Sequence, residues 1–172
     1  GTAGHISPVL AVIASIRKLD KDAQILFVCS GKPSELALLE SNNIDYKVIP
    51  AGKYRRYGRG FFAELADIKT QAKNIKDIGS IYRGYAYSKK IIKEFKPDAV
   101  FIKGGYVGLP VGIAASKLKV PVVIHESDIV MGKANLRLAK KADYVAVSFP
   151  SELYGNLSPQ KVKFTGNPVR AE

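Results

Sequence analysis

The strongest limit on the fold is a regular alternation of short apolar runs with helix-length amphipathic stretches. Ile25–Cys29 is a continuous apolar run fit for a strand covered on both faces, and Tyr46–Ile49, Ala99–Ile102, Val122–His125 and Tyr144–Ser148 follow as further strands. Between them lie helical segments. Val9, Ile13 and Ile16 recur at helical spacing from Val9 to Leu19, and helices are expected from Pro33 to about Glu40 and between about Phe61 and Phe95. Two more are expected over Leu109–Leu118 and about Gly132–Lys141. This βα rhythm predicts the α/β class, a Rossmann-like, doubly wound parallel sheet with helices on both faces. With 172 residues, 47% of them apolar, one core and a single domain over 1–172 are expected.

In such sheets ligands sit at the carboxyl ends of the strands, near the point where strand order reverses. Three loops there carry chemistry. Gly1-Thr-Ala-Gly-His-Ile-Ser-Pro8 runs glycines into a proline-initiated helix, the form of a turn that presents backbone N–H groups and a helix N-terminus to a phosphate. A plain tight turn is the alternative. Lys103-Gly-Gly-Tyr-Val-Gly-Leu-Pro110 repeats the pattern after a strand, with close helix–strand packing at Gly104 and Gly105 as the competing explanation. His125, Glu126, Ser127 and Asp128 leave the buried Val122–His125 strand as a polar cluster, where a lone histidine would more often be structural. The strand that should feed the first loop would precede Gly1 and lie between Ile25–Cys29 and Ala99–Ile102.

Charge narrows the partners. The chain carries +12, and Lys53–Lys96 alone holds twelve basic against four acidic side chains. Nucleic acid, an anionic membrane or a phosphorylated substrate could each answer that excess. No helix-turn-helix, RNA-recognition or finger pattern accompanies the charge, so no nucleic acid is expected. Lys53-Tyr-Arg-Arg-Tyr-Gly-Arg-Gly-Phe-Phe62 interleaves rings and cations, which suits a lipid headgroup surface through Arg55, Arg56, Arg59, Phe61 and Phe62; a solvated loop is the alternative. The single cysteine, Cys29, argues for a reducing compartment, and no apolar run reaches eighteen residues. Neither a membrane span nor a signal peptide is expected. Asp20-Lys-Asp22 has Asp-x-Asp spacing but falls in a helix-to-strand turn, so no metal site and no cofactor are expected.

Taken together, the Gly1–His5 loop, Lys103-Gly-Gly-Tyr-Val, His125-Glu-Ser-Asp with Gly132 and Asn135 behind it, and Gly166-Asn-Pro-Val-Arg170 resemble the MurG family in order and spacing over the whole chain. The Ala51–Tyr57 loop and the His-Glu-Ser-Asp form resemble its Gram-positive branch; other members carry His-Glu-Gln-Asn, so Asp128 puts a charge where they have a neutral amide. The resemblance implies the N-terminal, acceptor-binding half of a GT-B glycosyltransferase, with Gly166–Arg170 as the crossover to a C-terminal donor domain that these residues do not include. Alone, such a half should be inactive.

The implied reaction is inverting transfer of N-acetylglucosamine from UDP-N-acetylglucosamine to the 4-hydroxyl of an undecaprenyl-diphosphate-linked N-acetylmuramyl-pentapeptide, at the cytoplasmic face of the membrane as a peripheral protein. His5 is the expected base on the acceptor side, with Glu126 as the rival. Gly1, Gly4, Gly104, Gly105 and Tyr106 are expected to cradle diphosphate, and Thr2, Ala3, Gly4, Asp128 and Arg170 match positions that touch the donor. A different class remains open: a membrane-docking acceptor subunit of a split glycosyltransferase acting on another lipid-linked sugar.

Overall fold

A computed structural model describes the backbone of residues 3–52, 68–155 and 157–169, and the side chains of 6–52, 79–155 and 157–169. The elements run α1 (Ala3–Leu19), β1 (Leu26–Cys29), α2 (Pro33–Glu40), β2 (Asp45–Val48), α3 (Ile68–Phe95), β3 (Val100–Ile102), α4 (Gly105–Lys117), β4 (Val122–Glu126), α5 (Lys133–Ala139), β5 (Tyr144–Val147), a 3-10 turn (Ser151–Tyr154) and β6 (Val162–Phe164). Every strand pairing is parallel. The expected α/β class is therefore what the chain forms.

Among the described residues the strands make two sheets, β1-β2 and β3-β4-β5-β6. Each has its own core. Ile6, Leu10, Ile13, Cys29, Leu39 and Ile44 close one, while Ile102, Ala114, Ile124, Leu138, Val145 and Val147 lie at the centre of the other. An apolar slot of about 630 Å³ separates them, walled by Leu26–Cys29 on one side and Val100–Ile102 on the other. Strand numbering rises outward from this slot in both directions, so it marks the point where the winding reverses.

Two helix starts differ from the sequence expectation. Pro8 is not the first residue of α1 but its sixth, because the helix begins at Ala3; α4 begins at Gly105 rather than Leu109 and holds Pro110 at the same position. A proline there cannot donate to the carbonyl four residues earlier, which leaves the Gly4 and Tyr106 carbonyls without that helical bond. The first-turn N–H groups, which have no acceptor within their own helix, consequently belong to Ala3–Ile6 and Gly105–Gly108. Strand β6 was not foreseen. Its three residues, Val-Lys-Phe, bury only Val162, too short a run to register as a strand without the β5 edge that receives it. Within 61–95 the described helix is the single element α3. Arg55, Arg56, Arg59, Phe61 and Phe62 lie outside the described residues.

Helix α4 sits tightly on its sheet because Gly112 has no side chain. A Cβ there would stand 2.7 Å from both Ile102 Cδ1 and Leu138 Cδ2, two buried groups of the larger core. Gly112→Leu should therefore cost about 1–3 kcal/mol through overpacking, read by denaturant unfolding. Gly79, exposed on α3 with nothing near its Cβ position, should respond the other way. Gly79→Ala is expected to stabilise by about 0.4–1 kcal/mol in the same measurement.

Candidate functional site

The loop after β4 is organised by one carboxylate. Glu126 ends the strand with its side chain turned back into the loop, where Oε1 accepts the Ser127 and Asp128 N–H groups at 2.9 and 3.1 Å. Oε2 accepts from Gly132 N–H at 2.8 Å and from Asn135 Nδ2 at 3.1 Å. Four donors on a 95% buried carboxylate define the course of residues 127–132. Asn135 donates as well to the His125 carbonyl at 3.0 Å, and the Tyr154 hydroxyl donates to the Asp128 carbonyl at 2.9 Å. The result is a rigid loop whose Asp128 side chain stays exposed.

His125 points the other way. Its Nε2 lies 3.0 Å from the Gly166 carbonyl, which can only accept, so Nε2 carries the proton. Nδ1 is buried with no partner, and a proton placed there would meet no acceptor. Burial, the largest influence, pushes the imidazole below its ordinary value, partly opposed by the Gly166 bond. His125 is thus a neutral structural clamp between β4 and the segment that follows β6.

The glycine loop after β3 is open. Gly104 and Gly105 have φ of +106° and +83°, a region L side chains rarely adopt, and nothing lies within 4 Å of the Cβ position at Gly105. Close helix–strand packing is done instead by Gly108 and Gly112, whose Cβ positions meet Ile102. Beside the loop stands Lys103, 8% exposed, with Nζ donating to Ser127 Oγ. Burial lowers its pKa, against the opposing pull of Glu126 and Asp128. A cation and the N-terminus of α4 therefore share one mouth, a suitable setting for an anion.

Across the slot, Lys32 brings its ammonium to 5.9 Å from the Tyr106 ring. Its own loop is fixed by Glu35, whose Oε2 accepts from Ser30 N–H at 3.1 Å and Ser30 Oγ at 2.6 Å. The ends of β1, β3 and β4 so form one rim. Asp20 and Asp22 are far from it in chain direction, before β1, where the Asp20 carboxylate accepts the Asp22 N–H at 3.0 Å in an exposed turn. Cys29 is 2% exposed and burial raises its thiol, so it is no nucleophile.

Of the residues singled out in the sequence, Gly104, Gly105, Tyr106, Glu126 and Asp128 come together at this rim. Glu126 is spent on holding the loop, which speaks against its use as a base. Gly4 and Ala3 fall in the first turn of α1, and the side chain of His5 lies outside those described, as do Gly1, Thr2 and Arg170. Sequence reasoning placed Ser127 in the polar cluster but gave no role to two contributors, Lys103 and Asn167. Lys103 directly precedes the glycine pair, and its charge at a strand's end was the available signal; Ser127 and Asn167 are linked only by folding.

Four similarities bear on this geometry. The family model of the glycosyltransferase family 28 N-terminal domain matches residues 1–147. The chain belongs to that family. The UDP-N-acetylglucosamine–N-acetylmuramyl-(pentapeptide) pyrophosphoryl-undecaprenol N-acetylglucosamine transferase of Bacillus pumilus is 38% identical over all 172 residues, which span 44% of that protein. The crystal structure of Acinetobacter baumannii MurG matches with TM-score 0.67 and 27% identity over 100% of this chain and 44% of its own. A UDP-GlcNAc 2-epimerase from Neisseria meningitidis, bound to UDP-GlcNAc, shares the fold at TM-score 0.67 with 16% identity, over 98% of this chain and 45% of its own. This family 28 domain thus spans less than half the length of the relatives it matches.

Two outcomes follow for the domain. Because folding lowers the His125 pKa below 6.5, the unfolded chain takes up the proton first as pH falls. The contribution of neutral His125 is fully present above about pH 7.5 and is lost as pH drops below about 6.5 toward the folded value. The Tm of the wild type should fall over this range more than that of His125→Gln, measured by calorimetry. Glu126→Gln, which replaces an acceptor oxygen with an NH2 group facing donors, should lose about 1–3 kcal/mol and loosen residues 127–132 in hydrogen exchange.

Proposed function

We propose that this chain supplies the acceptor-side half of an inverting glycosyltransferase that moves N-acetylglucosamine from UDP-N-acetylglucosamine to the 4-hydroxyl of an undecaprenyl-diphosphate-linked N-acetylmuramyl-pentapeptide. The observation that carries the reading is the open rim of a family 28 domain, where the N-terminus of α4, Gly104 and Gly105 at positive φ, and Lys103 converge. The donor and acceptor of such a reaction both carry diphosphates, and backbone N–H groups with a nearby cation stabilise that charge as it builds on the departing UDP.

In this reading Gly1, Gly4, Gly104, Gly105 and Tyr106 cradle diphosphate, while Thr2, Ala3, Gly4, Asp128 and Arg170 face the donor held by a second, C-terminal domain. His5, in the first turn of α1, takes the proton from the acceptor hydroxyl as its oxygen attacks the anomeric carbon and UDP leaves from the opposite face. A helix N-terminus keeps an imidazole neutral, which suits a base. Glu126, with four donors on its carboxylate, supports this site by holding the loop. A short apolar strand ahead of Gly1 would fill the slot between β1 and β3 and fuse the two cores. Arg55, Arg56, Arg59, Phe61 and Phe62 would meet the anionic cytoplasmic face of the membrane; among the described residues no helix is long and apolar enough to cross it.

The test is transfer from UDP-N-acetylglucosamine to a lipid-linked muramyl-pentapeptide by the full-length parent protein. His5→Ala should lower kcat about a hundredfold or more. Absence of transfer by an intact parent would overturn the reading, and a His5→Ala enzyme within a few-fold of wild type would remove His5 as base. For the membrane face, co-sedimentation with anionic vesicles should weaken with salt and be largely lost when Arg55, Arg56 and Arg59 become serine. Equal pelleting of both proteins would send that contact elsewhere.

A further inference from the structure

After β6 the chain does not simply leave the sheet. Thr165 N–H donates to the Val147 carbonyl at 3.0 Å, which carries the ladder one step further along β5. Residues 166–169 then turn back across the end of β5 toward β4, with Gly166 at φ +73°. Among the described residues the segment from there has no backbone ladder and is half exposed, yet two side chains of the β4 end reach it. His125 Nε2 donates to the Gly166 carbonyl, and Ser127 Oγ donates to Asn167 Oδ1 at 2.9 Å.

The direction of the second bond matters. A serine hydroxyl has one proton, and Asn167 Oδ1 is only an acceptor, so that proton is committed to Asn167. The Ser127 oxygen is left to accept, and its donor is the Lys103 ammonium. Nζ–H to Oγ, then Oγ–H to Oδ1, is a single ordered chain from a nearly buried cation at the glycine loop to an exposed amide on the departing segment. A charged donor polarises the hydroxyl it binds and strengthens the next bond.

We infer that Lys103, Ser127 and Asn167 form a positioning relay that fixes the course of residues 166–169 relative to the glycine loop of β3. Lys103 and Ser127 are positioning residues in this sense. The cation beside the mouth of α4 sets where the chain leaves the domain, and it does so through one hydroxyl. Lys103 keeps further N–H donors for the loop side while it holds Ser127, since an ammonium has three.

The relay makes a distinctive demand: a change at Asn167 must be felt at Lys103, which is two bonds of the chain away, and only while the Ser127 hydroxyl is present. The experiment uses the full-length parent protein at neutral pH. It follows the Lys103 ammonium signal by nitrogen-detected lysine NMR, and hydrogen exchange at the Thr165 amide. Asn167→Ala should shift the Lys103 signal, and Ser127→Ala should shift or broaden it and speed Thr165 exchange by about tenfold, the size expected for losing a charge-supported hydrogen bond. Ser127→Thr keeps the hydroxyl and should restore both readouts. In the Ser127→Ala background, Asn167→Ala should add nothing. Calorimetry on each variant keeps a general loss of folding apart from a local effect. The proposal is overturned if Asn167→Ala leaves the Lys103 signal in place, if it shifts that signal equally without the hydroxyl, or if a folded Ser127→Thr behaves as Ser127→Ala.

Discussion

The rim of this domain depends on a buried carboxylate that is fully used. Glu126 draws two successive backbone N–H groups to one oxygen and a glycine N–H and an asparagine amide to the other. Burying a charge is costly unless donors replace the lost water, and here four do. These four bonds tie the loop to the strand end at residues 127, 128, 132 and 135. Asn135 is carried by α5 to the underside of Gly104, so the β4 loop and the β3 glycine loop share one support. Ser127 is then presented to Lys103, and His125, one residue earlier on the opposite side of the strand, is presented to Gly166.

The strand alternation explains why neighbours in sequence do such different work. His125 and Glu126 point to opposite faces of β4 because side chains alternate along a strand, and the polar cluster therefore divides into a clamp for the departing chain and a hub for the loop. Its residue types were legible in the sequence as a group out of place at a strand's end. Their division of labour was not, since it depends on Gly132, Asn135 and Gly166, which lie 6, 10 and 41 residues further along the chain from their partners.

Much of the architecture could be read from periodicity. β1, β3, β4 and β5 were found within about a residue because doubly covered strands are continuous apolar runs, and α2 ran from Pro33 to Glu40 as its opening proline suggested. What failed did so for local reasons. Proline was read as a helix start at Pro8 and Pro110, whereas both α1 and α4 begin five residues earlier and absorb the missing bond in their second turn. β6 offers one buried residue and two exposed ones, so its strand character comes from the edge of β5 and not from its own pattern. Helix α5 was expected from about Gly132 and does start there, with the Gly132 N–H held by Glu126.

The two sheets raise a question of stability that the cores themselves frame. Parallel strands are stable mainly when covered on both faces and paired on both edges, and β1 and β3 each present an edge to the apolar slot. Among the described residues the slot is crossed by α4 packing on β1 and by the Lys32–Tyr106 contact at its mouth, and α3 meets the segment after β2 where Gly84 approaches the Pro50 carbonyl. The first two join the smaller core to the one element, α4, whose N-terminus also lines the rim. The glycine loop and the packing of the smaller core against the larger one therefore share α4 as a common support.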